Sequence, residues 1–211
     1  MITALKRIYS KYEGLMGYVS LKKQKDMSVG SVLEKQAAMH PDKPLVMFED
    51  RTISYREFNE TANRYANYFK NKGLIKGDTV ALFMDNRPEF LIIHAGLAKI
   101  GVVPALVNNN IRGRVLVHAL NIAEARSLIV GHEFIKDYLS VAKEIKLQKP
   151  GDVFIECEGK SIKLPKGVQD MQEVLKNQSI ENPVVSPPIN SKDVLEYIYT
   201  SGTTGMPKAT V

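Results

Sequence analysis

The stretch TSGTTGMPK, residues 200–208, is where this sequence could do chemistry. Gly202 and Gly205 lack a Cβ, so the backbone there can turn sharply and set successive N–H groups against an anion. Thr200, Ser201, Thr203 and Thr204 bring four hydroxyls that can donate to phosphate oxygens, and Lys208 adds a mobile positive charge. Pro207 holds Met206 in extended geometry, so no helix is expected to start there. The string also misses the G-x-x-x-x-G-K-[ST] spacing, which sets it apart from a Walker loop. A plain turn between two strands would use the same residue types. Yet eight specified residues in nine positions arise by chance in such a chain on the order of once in 10^8.

A loop of this kind needs a rigid strand behind it, and Val194 to Tyr199 reads as that strand. Tyr197 and Ile198 set its direction. Upstream the periodicity alternates. Helices are predicted at 28–40, 55–72, 88–100, 112–123 and 134–145. Strands are predicted at 45–49, after the turn at EDR, and at 79–84, 102–107, 127–130 and 153–157. That alternation predicts an α/β fold with a mostly parallel sheet covered by helices on both faces. Residues 177–191, NQSIENPVVSPPINS, hold three prolines and read as a surface connection.

Net charge is +6, but +4 of it lies in residues 1–26, where Lys6, Arg7, Lys11, Lys22, Lys23 and Lys25 oppose Glu13 and Asp26. The remaining chain is near neutral, which argues against nucleic acid as a partner. Leu5, Ile8, Tyr9, Tyr12, Leu15, Met16 and Val19 follow a helical face, so residues 1–27 read as a basic amphipathic segment and 28–211 as the domain. Such a helix either packs on the domain or lies in a membrane interface. Gly14 and Gly17 weaken it in both settings. No stretch reads as a signal peptide or a membrane span; the apolar run at 90–107 is broken by His94, Lys99, Gly101 and Pro104. Cys157 is the single cysteine, and His40, His94, His118 and His132 are scattered, so no metal site is expected.

The string YIYTSGTTGMPK, residues 197–208, resembles the nucleotide-binding signature of the adenylate-forming enzymes. HPDKPLVMFEDRTISYREFNETANRYANYF resembles their opening strand, hairpin and helix. DNRPEFLIIHAGLAKIGVVPALVNNNIRGRVLVHAL is similar to the fatty acid transport proteins, or very long-chain acyl-CoA synthetases, with Asn109 where threonine is usual. The resemblance covers about residues 28–211. It implies the N-terminal portion of the large adenylate-forming domain and a two-step ligase. ATP and a fatty acid give an acyl-adenylate and pyrophosphate, and coenzyme A then displaces AMP. Tyr199, Thr200, Ser201, Gly202, Thr203, Thr204, Gly205, Met206, Pro207 and Lys208 would grip ATP or AMP, with Mg²⁺ sharing the charge. Its magnesium and ribose carboxylates, acyl tunnel and small C-terminal domain would lie beyond Val211.

The resemblance thus implies a piece truncated after the phosphate-binding loop, and poor solubility is expected of it alone because an apolar face and a strand edge would stay uncovered. It also implies a membrane-associated enzyme at the cytosolic face of the endoplasmic reticulum or plasma membrane, serving ligation or uptake. A second copy of the chain is an admissible partner. The alternative is a short isoform that binds nucleotide or membrane without catalysis.

Overall fold

The computed structural model describes residues 27–149, 151–201 and 206–210. The amphipathic segment expected at 1–26 and the loop residues Gly202, Thr203, Thr204 and Gly205 lie outside them.

The elements run α1 (Val29–Met39), β1 (Pro44–Phe48), β2 (Arg51–Ser54), α2 (Tyr55–Asn71), β3 (Thr79–Phe83), α3 (Pro88–Lys99), β4 (Val103–Leu106) and α4 (Gly113–Ile122). They continue with β5 (Ser127–Gly131), α5 (Ile135–Val141), β6 (Asp152–Glu156), β7 (Gln169–Asp170), α6 (Met171–Leu175), β8 (Tyr197–Ser201) and β9 (Pro207–Thr210). The first two strands form a separate antiparallel hairpin. The others make one sheet in the order β7-β6-β5-β3-β4-β8-β9, parallel throughout except for β9.

Local signals explain most boundaries. Ser54 caps α2 by accepting from Glu57 N, while the Glu57 carboxylate accepts from Ser54 N, a reciprocal capping box. Pro88 occupies the first turn of α3, where its missing N–H costs nothing. Gly101 ends that helix at φ +69°, a backbone conformation most side chains resist. Gly96 lets α3 lie against α2: a Cβ there would stand 2.6 Å from the Ala62 carbonyl oxygen.

Strand alternation divides the core. Val80, Leu82, Ile129 and Phe154 face α2 and α3, joining Tyr65, Phe69, Ile93 and Leu97. Ala81, Phe83, Leu128, Val130 and Ile155 face the other way, against Leu116 and Leu120 of α4 and Tyr138 of α5. Both faces of the central strands are therefore buried, which is why their sequences are continuously apolar.

Two expectations need correction. The strand predicted from Val194 begins at Tyr197, and Val194 and Leu195 stay exposed. The helix predicted over 134–145 is α5 flanked by single 3₁₀ turns at His132–Phe134 and Ala142–Glu144. The short β7 and α6 went unpredicted. The antiparallel β9 pairs along β8 and ends the sheet on that side.

The proline-rich connection is held by an asparagine ladder on α2. Asn63 Nδ2 donates to Ile180 O at 2.6 Å, Asn67 Nδ2 to Ser179 O and Glu181 O at 2.9 Å, and Asn59 and Asn71 reach Asn182 and Gln178. Spaced four apart, these amides share one helix face; Asn63 and Asn67 satisfy carbonyls that irregular backbone leaves open, and Asn59 and Asn71 bond side-chain oxygens.

Candidate functional site

The loop joins β8 to β9 at the C-terminal end of β8, and β8 pairs in parallel with β4 through Ala105–Tyr197 and Leu106–Ile198. Ligands of open α/β sheets bind beyond this end of the strands. On the antiparallel side Ile198 pairs with Thr210, Tyr199 with Ala209, Thr200 with Lys208 and Ser201 with Pro207. The expectation that no helix starts at Met206 holds, since Pro207 opens a strand.

Period-two alternation sorts the side chains. Tyr197 and Tyr199 pack against the α4 layer. The Tyr199 hydroxyl donates to Ala119 O at 2.8 Å, and burial pushes its pKa far above the usual phenol range. This residue anchors the strand to α4. His118 Nε2 lies 3.0 Å from Pro207 O, a second tie from α4 to the far side of the loop. On the opposite face Ile198, Thr200 and Lys208 are exposed. Glu196 belongs to that face too, with its carboxylate 2.7 Å from His94 Nε2 on α3. The two strands that flank the loop are thus tied to α4 and α3, while Thr200 and Lys208 are exposed on the other face.

A second feature shares this edge of the sheet. The chain leaves β3 for β4 on one side and returns as β5 on the other, and a polar cleft of about 1050 Å³ opens at that reversal. Arg87, only 7% exposed, is its hub: its guanidinium lies 3.4 Å from Glu89 and from Glu133 and 3.7 Å from Glu158. Arg51 bridges Glu89 at 2.8 Å and Glu158 at 3.3 Å, tying the β1–β2 hairpin to the network. Asn109 Nδ2 donates to Asp85 at 2.6 Å, so the residue that departs from the usual threonine joins the ends of β4 and β3. Sequence reading missed this cluster because its members span residues 51 to 158; the only local sign was DNRPE directly after β3. Among the described residues, no group of three or more histidine, cysteine or acidic side chains is arranged to hold a metal ion.

Family comparison decides what the edge belongs to. The AMP-binding enzyme family matches residues 33–211. The chain belongs to that family. It is 36% identical over 200 residues to long-chain fatty acid transport protein 6 of Homo sapiens, covering 92% of this chain and 31% of that protein. It is 32% identical over 187 residues to the medium/long-chain-fatty-acid–CoA ligase FadD6 of Mycobacterium tuberculosis, covering 87% and 29%. The inhibitor-bound N-terminal domain of FACL13 from Mycobacterium tuberculosis superposes with a TM-score of 0.73 at 26% identity, covering 87% of this chain and 44% of that one. The anthranilate CoA ligase AuaEII, solved with anthranoyl-AMP, gives 0.76 at 22% identity and covers 87% and 34%, a likeness of fold. The chain therefore spans roughly a third of its relatives' length.

Proposed function

We propose that this chain supplies the phosphate-gripping part of a long-chain or very long-chain fatty acid–CoA ligase. The observation that carries the reading is the position of TSGTTGMPK: a glycine and hydroxyl loop at the carboxyl end of β8, in a chain whose family is defined by AMP binding. In this reading residues 1–27 are a basic amphipathic N-terminal segment and 28–211 the opening of its large domain.

Activation joins a carboxylate oxygen to the α-phosphorus of ATP and expels pyrophosphate. The barrier comes from charge on the phosphates, and fixed donors lower it most when their positions are set beforehand. Here β8 and β9 set them. Thr200 and Lys208 approach from the open face, and Ser201, Gly202, Thr203, Thr204 and Gly205, followed by Met206 and Pro207, are the residues whose types suit a phosphate grip. Tyr197, Ile198 and Tyr199 hold the strand. Mg²⁺, a hard ion that keeps phosphate and water ligands, finds no protein cage among the described residues, so no step is assigned to it. Coenzyme A is the second substrate: its thiol attacks the acyl-adenylate carbonyl, and AMP leaves.

Relatives named as long-chain fatty acid transport proteins support a role in fatty acid uptake, and a place at the cytosolic face of a membrane is part of the same proposal. No described helix is long and apolar enough to cross one. The deciding experiment is fatty-acid-dependent exchange of labelled pyrophosphate into ATP by the native gene product, with Lys208→Ala beside it. Exchange lost on substitution supports the ligase. ATP binding with no exchange at any chain length would leave a nucleotide-binding module instead.

A further inference from the structure

A proline at the start of a strand removes a ladder donor, and Pro207 opens β9, paired with Ser201 of β8. The residue that leads Lys208 into the sheet therefore has no N–H to donate to its neighbour. Its carbonyl is held instead by a side chain from α4. His118 Nε2 lies 3.0 Å from Pro207 O, and because a peptide carbonyl only accepts, this nitrogen carries the proton and donates.

The next residue of α4 does the same for the other strand. Ala119 O accepts from the Tyr199 hydroxyl at 2.8 Å. Two consecutive helix residues thus hold the two strands that flank the loop, one through a donor and one through an acceptor. The platform is firm, since Leu116, Ala119 and Leu120 of α4 are buried in the core. At the far end of β9 Thr210 Oγ1 donates to Ile198 O at 2.9 Å. The strand is therefore pinned at both ends, and His118 is the pin beside the loop.

Peptide geometry carries that pin to the lysine. The Pro207 carbonyl and the Lys208 Cα belong to one planar peptide unit, so holding the oxygen also holds the root of the Lys208 side chain. That side chain is exposed on the face away from α4, beside Thr200. A lysine stem is long and mobile, and a fixed root limits the freedom lost when its ammonium meets an anion.

We propose that His118 is a positioning residue for Lys208: its bond to Pro207 O sets the peptide plane from which the lysine reaches the ligand. His118 itself touches no phosphate. The inference rests on the reading of residues 200–208 as a phosphate grip.

The test is a double-mutant cycle on ATP affinity, measured by calorimetric titration of the intact chain. His118→Phe keeps a ring and deletes the donor, whereas His118→Gln keeps a donor nitrogen the same number of bonds from Cα. His118→Phe weakens ATP binding about fivefold, the range of one neutral hydrogen bond, and His118→Gln stays within about twofold of wild type. In a Lys208→Ala background His118→Phe changes affinity less than about twofold, because the group it positions is gone. A loss that persists in full in that background overturns the proposal. So does unchanged affinity in His118→Phe where Lys208→Ala binds weakly, or His118→Gln binding no better than His118→Phe. Should His118→Phe not fold, His118→Asn, whose amide stops one bond short, takes its place in the cycle. Unchanged affinity in Lys208→Ala, or no binding by the wild-type chain, overturns the phosphate-grip reading itself and this inference with it.

Discussion

Thr200 and Lys208 are direct partners across the antiparallel pair β8–β9, so a hydroxyl and an ammonium flank the two ends of the glycine loop on one open face. Directly opposed side chains in such a pair stand about 5 Å apart at Cβ. That is close enough for both to reach one phosphate group, and both side chains are exposed among the described residues. On the proposed reading, these two side chains are the first donors to test.

Removing the hydroxyl alone tests its share. Thr200→Val keeps the branched shape that suits a strand and deletes one donor to an anion. We expect ATP affinity to fall about tenfold, the worth of one hydrogen bond to a charged group, with thermal stability unchanged because the position is exposed. Calorimetric titration of both proteins measures it.

Tyr199 is expected to behave in the opposite way. Tyr199→Phe removes the hydrogen bond to Ala119 O and leaves that carbonyl to find water or stay unpaired. Stability falls by about 1 kcal/mol, or roughly 2–4 °C in melting temperature for a chain of this size, while ATP affinity changes less than threefold. A large loss of affinity at unchanged melting temperature would make Tyr199 a ligand contact rather than an anchor.

Arg87 carries the polar cleft. Arg87→Met keeps much of the volume but leaves Glu89, Glu133 and Glu158 crowded without their shared cation. Breaking a buried pair from one side costs about 3–5 kcal/mol, and urea denaturation should show a loss of that order. Arg87→Lys rescues little, since one ammonium cannot fork to three carboxylates.

Alkaline pH should destabilise the fold. Burial raises the pKa of Tyr65, helped by the Glu156 carboxylate that its hydroxyl meets at 2.5 Å; burial also raises Tyr199, and Tyr68 is pushed up to about 12 by burial and then Asp152. In the unfolded chain these phenols lose protons near pH 10, whereas the folded chain keeps them. The folded state then binds more protons, so stability present below pH 10 is lost as pH rises toward and beyond 12. Lys99 opposes this: burial lowers its pKa, giving a contribution that grows with pH below its ordinary value of 10.5. Three phenols outweigh one lysine, so the melting temperature should drop between about pH 10 and 12, less steeply in Tyr65→Phe. A flat profile would contradict it.

What the sequence could disclose was whatever sits within a few residues of its cause. Ser54 and Glu57 announce a helix start three positions apart, Pro88 and Gly101 bracket α3, and TSGTTGMPK carries its own turn chemistry. The asparagines of α2 look like ordinary surface residues until their partners, more than a hundred positions on, come back to them. The Arg87 network is hidden for the same reason. The break after Val141 has no glycine or proline to mark it, and β7, two residues long, is too short for any period to show. Val194 and Leu195 read as the start of the β8 strand, yet they stay exposed ahead of it.

The most direct measurement is a titration of ATP into the intact chain and its Lys208→Ala variant at two salt concentrations. Removing the exposed cation beside the loop should weaken binding about ten- to a hundredfold and reduce the dependence on salt, with the melting temperature unchanged. Equal affinity in the two proteins, or no binding by either, would contradict the assignment of residues 200–208 as the grip on the nucleotide's phosphates.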